Sequence, residues 1–257
     1  MAAEKSLAIV LRTVEFSESS YVATLFTEDF GKITALAKGA RRRKSAFESA
    51  LDLLSVSRVV FLSKSSDSLD LLTEARLEKA FRSSQKELGR FYAALYLIEL
   101  VNLMTDNRDP HPDLFRTTVR SIGQLDQGAP IAPNVLKFEL AILRHLGHLP
   151  ALHACSECSR TVPDAARMAF GIWNGGVLCN TCKVGKRKVV SLSLPALQLL
   201  RSWSEPEIET TNDTDSSQPQ FDTEWTKVAG EVRGLMNQYL CDTLGRRPQL
   251  FDFLGFH

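Results

Sequence analysis

The fold is decided by residues 6–38, which read SLAIVLRTVEFSESSYVATLFTEDFGKITALAK. Three runs rich in β-branched and apolar residues are separated there by the turn-forming sequences Ser17–Ser20 and Asp29–Gly31. Two similar runs follow before residue 80. The five predicted strands are Ser6–Phe16, Tyr21–Thr27, Lys32–Lys38, Ser55–Ser63 and Leu69–Leu77. Five short strands without long helices between them predict a small closed β-barrel, such as an OB-fold.

Beyond residue 84 the apolar residues recur with a helical period. The predicted helices are Gln85–Thr105, His111–Leu125, Val135–Leu146, Leu194–Ser202 and Trp225–Leu244. We therefore expect a multi-domain α+β protein with an OB-fold barrel domain at 1–81 and an α-helical domain at 82–257. A cysteine module at 153–190 is inserted in the helical part. Residues 204–224 carry seven acids and no basic residue, which predicts a flexible acidic loop.

Four of the five cysteines form two Cys-x2-Cys pairs, Cys155 with Cys158 and Cys179 with Cys182. This spacing is typical of a zinc ribbon, in which two tight turns each supply two thiolates to a tetrahedral metal ion. Four thiolates fill the coordination shell, so the spacing favours a structural Zn²⁺ over a catalytic one. Nearby His148 and His153 are alternative ligands, and four buried thiols without metal are the simplest alternative. Cys241 is expected to fill an apolar position in a helix.

The net charge is only +1, with 31 Lys and Arg against 30 Asp and Glu, but the charge is unevenly distributed. Five cations fall within Lys38–Lys44, a segment that we call the basic loop. Cations concentrated on a barrel are typical of phosphate-backbone binding. The candidate DNA contacts are Lys38, Arg41, Arg42, Arg43 and Lys44, with Arg12 and Lys32 joining them from neighbouring strands. A solvated run of charges is the alternative.

Four aromatic residues near the basic loop are candidates for stacking on bases: Phe16, Tyr21, Phe30 and Phe47. Taken singly, we expect Phe16 and Phe47 to belong to the core and Tyr21 to a strand face. No nucleotide-binding, hydrolase or metalloprotease motif is present, so nothing indicates an enzyme. No apolar run approaches the length of a membrane span, and no signal peptide is evident, so we expect a cytoplasmic protein with no membrane partner.

The sequence from Leu11 to Ser45 resembles the start of the RecO family of bacterial recombination mediators. The elements that carry the resemblance are Leu11-Arg12-Thr13, Glu18-Ser19-Ser20, Leu25-Phe26-Thr27, Gly31-Lys32 and Lys38-Gly39-Ala40-Arg41-Arg42. Phe138-Glu139-Leu140 to Leu146-Gly147, the first cysteine pair, and Tyr239-Leu240 with Leu244-Gly245 are similar to later parts of that family. The acidic stretch 204–224 has no counterpart in this pattern.

The resemblance implies a DNA repair protein of the RecF recombination pathway. Such a protein binds single- and double-stranded DNA, anneals complementary strands and helps to load recombinase on DNA coated by the single-strand-binding protein. RecR and the single-strand-binding protein are the implied protein partners, and the nucleoid is the implied location. Lys38, Arg41 and Arg42 are the DNA contacts that the resemblance favours, with Arg12 and Lys32 weaker; Arg43 and Lys44 rest on charge alone. The four cysteines match zinc ligands found in many members.

Two other classes of protein fit parts of this sequence. A zinc-ribbon adaptor would bind protein partners through the barrel and helices without touching DNA. A metalloenzyme acting on nucleic acid would need an open coordination position, which four thiolates do not leave. Salt-dependent binding of an oligonucleotide separates the mediator from the adaptor.

Overall fold

A computed structural model describes residues 3–42, 45, 47, 49–64, 69–82, 87–205 and 218–255, with only the backbone of 218–224. The chain divides into two compact units. The first comprises 1–138 together with 248–254, and the second comprises 139–247 together with 255–257. The two units are described separately below.

The first unit contains a closed five-stranded barrel, as the five short runs of β-branched and apolar residues predict. The strands are β1 (Ala3–Ser17), β2 (Ser20–Thr27), β3 (Gly31–Ala37), β4 (Val56–Leu62) and β5 (Asp70–Lys79). They follow the order β1-β2-β3-β5-β4, and β1 pairs with both β2 and β4. All five predicted strands are confirmed, and the expected OB-like barrel is present.

The barrel core consists of side chains that alternate along the strands. In β3, every second residue from Gly31 to Ala37 is buried, which is the period of two that a half-buried strand requires. Side chains that fill the barrel interior include Ala8, Val10, Leu25, Ile33, Val59, Phe61 and Leu72. This packed interior leaves only loops, strand ends and the outer faces of the strands for binding.

Helices α1 (Leu88–Met104) and α2 (Pro112–Asp126) also belong to the first unit. The connection between them lies against the barrel: Arg108 donates its backbone N–H to the carbonyl of Lys32, and Gly31 lies against Asp109. Gly31 has a φ of +65°, and a Cβ there would overlap the Asp109 carbonyl, so only glycine permits this approach. The helix connection is thereby fixed to the start of β3.

The chain end returns to the same unit as a 3₁₀ helix, Gln249–Phe253, which the sequence did not predict. The carboxylate of Glu99 on α1 accepts the backbone N–H groups of Gln249 and Leu250, at 2.7 and 3.0 Å. The Phe251 ring packs on Tyr96, with 5.3 Å between ring centroids. This docking depends on hydrogen bonds between residues about 150 positions apart, which no local pattern reveals.

The second unit holds a three-stranded sheet, two helices and the C-terminal part of a third. Its strands are β6 (Arg167–Gly171), β7 (Gly176–Leu178) and β8 (Val189–Ser193), in the order β7-β6-β8. Helix α3 spans Ile131–His145. Helices α4 (Leu194–Ser204) and α5 (Gln218–Leu244) pack on each other through the stacked rings of Trp203 and Trp225. Strands β6 and β7 form an antiparallel hairpin, and β8, which the sequence did not predict, pairs with the other edge of β6.

The predicted extent of the acidic loop was wrong at its C-terminal end. Helix α5 begins at Gln218 rather than Trp225, and Ser204 is the last residue of α4. Proline at position 219 favours a loop in the sequence, but proline is tolerated in the first turn of a helix because its missing N–H would have no partner there. The remainder of the expected loop, residues 206–217, lies outside the described residues.

Ion pairs that involve a buried carboxylate fix the packing within each unit. In the second unit, Arg233 on α5 donates to the Glu139 carboxylate on α3 at 2.6 and 3.2 Å, and both side chains are almost fully buried. In the first unit, Arg108 donates two hydrogen bonds of 2.6 Å to Asp70 at the start of β5. Buried charges need such partners, because an unpaired one would lose its hydration without compensation.

Candidate nucleic-acid interface and four-cysteine cluster

The basic loop begins where β3 ends and lies beside the β1–β2 hairpin. Tyr21 of β2 pairs with Ala37 of β3, so the register places the hairpin tip next to the first residues of the loop. Gly39 has a φ of +73° and donates its N–H to the Ser20 hydroxyl, and its carbonyl accepts the N–H of Arg42. The loop therefore starts with a tight turn supported by the neighbouring hairpin.

Four of the predicted DNA contacts are exposed on the described surface, and three of them have no acidic partner there. Lys38 and Arg42 project from the start of the basic loop, and Arg12 projects from β1 opposite Thr24. No described carboxylate lies within ion-pair distance of any of the three. Exposed cations without an acidic partner remain available to phosphate groups. Arg43 and Lys44 lie outside the described residues.

Arg41 is also exposed, but groups of the β1–β2 hairpin engage its guanidinium. Its guanidinium lies 3.0 Å from a carboxylate oxygen of Glu15 and donates to the carbonyl of Ser17 at 3.2 Å. It also lies over the Tyr21 ring, 5.7 Å from the centroid. The backbone N–H of Arg41 donates to the carbonyl of Ser19. Arg41 thus ties the basic loop to the hairpin tip.

Lys32 lies apart from the other cations. Its ammonium donates to the carbonyls of Asn102 and Thr105 at the C-terminal end of α1, at 2.7 and 2.6 Å. Helix ends leave carbonyls without intrahelical partners, and a cation satisfies them well. Burial lowers the pKa of Lys32, although the charge of Asp106 acts to raise it. The structure therefore places Lys32 as a contact between barrel and helix.

The four aromatic candidates divide into buried and exposed residues. Phe47 is buried, as expected, and Phe30 packs edge-to-face on Phe61. Tyr21 is half-buried beneath Arg41. The expectation that Phe16 belongs to the core was wrong, since its side chain is 62% exposed. The β1–β2 register shifts between Glu15 and Ser17, so Phe16 has no partner residue on β2 and its side chain faces solvent.

The four predicted metal ligands come together in the second unit. The sulfur atoms of Cys155, Cys158, Cys179 and Cys182 all lie within 4.8 Å of one another. Strand β7 ends one residue before Cys179, and the N–H of Ser156 donates to the carbonyl of Val177. The β6–β7 hairpin therefore brings the second Cys-x2-Cys turn onto the first.

The spacing of the sulfurs fits a tetrahedral metal site. With Zn–S bonds of about 2.3 Å, tetrahedral sulfurs lie about 3.8 Å apart. The Cys158 and Cys179 sulfurs are separated by 3.9 Å. Backbone N–H groups also donate to the sulfurs, from Cys179 to Cys155 and from Cys182 to Cys179. Such hydrogen bonds favour the thiolate form that a metal ion requires.

The thiols of the cluster differ in acidity. Burial acts to raise the pKa of Cys155, but backbone N–H groups of Cys179, Cys158 and Glu157 together with the Cys158 side chain lower it to about 6. Hydrogen bonds with the sulfurs of Cys179 and Cys158 raise the pKa of Cys182 to about 12, since a proton there is shared among neighbouring sulfurs. A divalent metal ion would replace these protons.

No other described metal-ligating side chain joins the cluster. His148 lies next to α5, where its backbone carbonyl accepts the hydroxyl of Tyr239. Cys241 lies within α5, where burial raises the pKa of its thiol. The alternative histidine ligands are therefore not part of this arrangement.

The sequence gives no indication of the carboxylates that pair with the cations around the cluster. Lys186 lies 2.9 Å from Glu157, and Lys188 lies 2.8 Å from Asp242. Lys188 also lies over the Trp173 ring, whose N–H donates to the same Asp242 oxygen. At the basic loop, the sequence likewise does not indicate that Glu15 pairs with Arg41. Isolated acids of this kind carry no local signal, because their partners are brought close only by the fold.

Among the described helices, none combines the length and apolar character that crossing a membrane demands. The fold and the cluster define the class: an α+β protein with an OB-like barrel, a helical region and a four-cysteine cluster. Comparison with known proteins identifies the family to which the chain belongs. The family model described as recombination protein O N terminal matches residues 1–81, and that described as recombination protein O C terminal matches residues 85–249.

Similar proteins carry the same family name along most of their length. The DNA repair protein RecO of Rhodopirellula baltica is 40% identical over 263 residues, covering 96% of this chain and 97% of the relative. The DNA repair protein RecO of Myxococcus xanthus is 30% identical over 248 residues, covering 96% and 95%. The chain therefore belongs to the RecO family of DNA repair proteins. The resemblance inferred from residues 11–45 is confirmed.

Proposed function

We propose that this protein acts as a recombination mediator that binds single- and double-stranded DNA through its N-terminal barrel. The observation that carries the proposal is the group of exposed cations Lys38, Arg42 and Arg12, for which the described part of the chain supplies no carboxylate partner. Arg43 and Lys44 extend this charge in the sequence. In the proposed domain division, residues 1–81 bind DNA and residues 82–257 carry the helical domain.

Binding at these cations would be largely independent of base sequence. Each Lys or Arg that contacts a phosphate releases condensed counterions, which supplies affinity without reading the bases. The barrel positions the cations on strand ends and a loop, because its interior is filled by apolar side chains. Phosphate contacts of this kind leave the base edges free to pair.

Strand annealing would follow from the same contacts without any chemical step. Two phosphate backbones repel each other, and a cationic surface lowers this repulsion while complementary bases find each other. We further propose that the protein assists recombinase loading on DNA coated by the single-strand-binding protein and works with RecR, as membership of the family suggests. A DNA partner of this kind would place the protein at the nucleoid, in the cytoplasm.

For the four-cysteine cluster we propose a structural Zn²⁺. Cys155, Cys158, Cys179 and Cys182 would hold the ion, and four thiolates would leave no position for a substrate or a reactive water. When bound, the ion would cross-link two turns that are 21 residues apart in the chain, as counted between Cys158 and Cys179. The role of the cluster would be to stabilise the second unit.

A strand-annealing assay with two complementary labelled oligonucleotides tests the proposed function. The variant Lys38→Ala/Arg42→Ala should anneal more slowly than the wild type at the same protein concentration. The control variant Lys5→Ala/Lys79→Ala removes the same charge from exposed positions on β1 and β5, outside the basic loop. It should anneal at nearly the wild-type rate. If the wild type does not accelerate annealing, the mediator proposal fails and the adaptor interpretation is favoured.

A further inference from the structure

Phe16 is a large aromatic side chain that the barrel leaves in solvent. The β1–β2 register runs regularly from Arg12 to Glu15 and then shifts, so that Glu15 pairs with Tyr21 and Ser17 with Ser20. Phe16 is the extra residue at this irregularity. Bulges of this kind re-aim a side chain, and burying an aromatic ring is otherwise strongly favourable. Its exposure of 62% leaves the face of the ring accessible to a binding partner.

Arg41 contacts the residues on both sides of Phe16. The guanidinium contacts the carboxylate of Glu15, which precedes Phe16, and the carbonyl of Ser17, which follows it. The backbone N–H of Arg41 contacts the carbonyl of Ser19 in the same turn. The hairpin tip, Phe16–Ser20, is thus held at several points against the basic loop. A ring on a preorganised backbone loses less conformational freedom when it binds.

Two acids lie near Phe16, Glu15 paired with Arg41 and the exposed Glu18, but the other exposed side chains of β1 and the basic loop favour a negatively charged partner with flat apolar groups. Val14, on the same strand, is also exposed, and Arg12 lies on the same strand face as Val14. Lys38 and Arg42 extend from the basic loop that Arg41 joins to this tip. An aromatic ring among exposed cations is the combination that binds single-stranded nucleic acid, with bases on the ring and phosphates on the cations.

We propose that Phe16 is a stacking platform for a base of single-stranded nucleic acid, and that Arg41 is a positioning residue that holds the hairpin tip in place. This inference rests on the proposed function and adds to it a discrimination between single strands and duplexes. Bases in a duplex are already stacked on each other, so only an unpaired base can lie on the Phe16 ring. Lys38, Arg42 and Arg12 would contact phosphates of either form.

The experiment compares the affinity of the full chain for a single-stranded oligonucleotide and for a duplex of the same length, each across a range of salt concentrations. Phe16→Ala should weaken single-strand binding by about 5- to 150-fold, the range that loss of one base-aromatic stack produces. Its salt dependence should equal that of the wild type, because no phosphate contact is lost. Duplex affinity should change by less than about twofold.

Two matched variants distinguish the effect of the aromatic π face from the effect of an apolar side chain of similar size. Phe16→Leu keeps an apolar side chain without a π face and should lose nearly as much affinity as Phe16→Ala. Phe16→Trp should bind single strands within about twofold of the wild type. Its added tryptophan fluorescence should be quenched by single-stranded DNA more strongly than the fluorescence of the wild type, because a stacked base quenches the indole.

The variant Glu15→Gln tests the positioning role of Arg41 in a Phe16→Trp background. Loss of the ion pair should reduce the quenching by single-stranded DNA, because the tip is held less firmly. If Arg41 were instead a phosphate contact restrained by Glu15, the same variant would strengthen binding and leave the quenching intact.

Three outcomes would overturn the stacking inference while leaving the proposed function standing. Unchanged single-strand affinity in Phe16→Ala would assign the ring to a protein partner. An equal loss for single strands and duplexes would indicate a general structural effect. Leucine performing as well as tryptophan would show that only apolar contact matters. A wild-type chain without salt-dependent DNA binding would instead contradict the proposed function itself.

Discussion

The ammonium of Lys32 lies 2.6 Å from the carbonyl oxygen of Thr105, the C-cap residue of helix α1. A second carbonyl, from Asn102, accepts from the same group. The charge pattern groups Lys32 with the cations of the basic loop, but the fold uses it to join the barrel to the helix. The proposed DNA interface on the described surface is therefore restricted to the loop and β1.

We predict that Lys32→Met destabilises the protein without altering its DNA binding. Hydrogen bonds from charged groups contribute about 1.5–3 kcal/mol, and their loss should lower the free energy of unfolding by that amount. The salt dependence of single-strand affinity should stay as in the wild type. Urea denaturation and oligonucleotide titration measure the two quantities. Lys38→Met is the matched control, and it should show the opposite pattern.

Arg108→Ala should be among the most destabilising single substitutions in the first unit. It removes the two hydrogen bonds that a half-exposed guanidinium donates to the buried Asp70 carboxylate, and hydrogen bonds to charged groups contribute about 1.5–3 kcal/mol. Arg116→Ala breaks exposed pairs with Glu28 and Asp113 and should cost less than about 1 kcal/mol. Chemical denaturation of both variants tests this contrast. Similar losses in the two variants would contradict the account of the Arg108 pair.

Removal of the metal should unfold the cysteine module, residues 153–190. Apparent binding free energies of about 10–16 kcal/mol at structural zinc sites are comparable to the whole stability of a domain, about 5–15 kcal/mol. Amide hydrogen exchange before and after chelation should show protection lost in β6 and β7 and retained in the barrel strands. Metal analysis must confirm that the ion has been removed. Unchanged protection in the module would refute a structural role for the metal.

The affinity of the cluster for Zn²⁺ should increase with pH. The metal-free cluster retains protons at neutral pH, because the pKa of Cys182 is raised to about 12 while that of Cys155 is lowered to about 6. Zn²⁺ must displace the retained protons, so a lower proton concentration favours binding. Competition with a chromophoric chelator at about pH 6, 7 and 8 measures the trend. An affinity independent of pH would mean that all four sulfurs are already ionised.

The sequence predicts the parts of this protein that depend on local patterns. The five barrel strands follow from short runs of β-branched and apolar residues between turn sequences, and the four-cysteine cluster follows from the spacing of two Cys-x2-Cys pairs. The β6–β7 hairpin follows from the glycines at 175 and 176. In each case the determining residues lie within a few positions of one another, so propensity and spacing carry the information.

The features that the sequence does not reveal depend on distant contacts. In the sequence, Lys32 does not differ from other strand cations, and only the fold brings the carbonyls at the end of α1 to its ammonium. Phe16 has the sequence pattern of a core residue, and the register shift in β1 exposes it. Strand β8 consists of five residues and gains its hydrogen bonds from β6, more than 15 positions earlier in the chain. Tertiary pairing decides such elements, and propensity alone does not.

The salt dependence of single-strand affinity tests the central claim most directly. For a single strand, the slope of log K against log salt concentration is about −0.7 per phosphate contact. Lys38→Ala/Arg42→Ala should therefore flatten the slope by about 1.4, while Lys5→Ala/Lys79→Ala leaves it unchanged. A slope equal to that of the wild type in the first variant would contradict the claim that the start of the basic loop binds DNA.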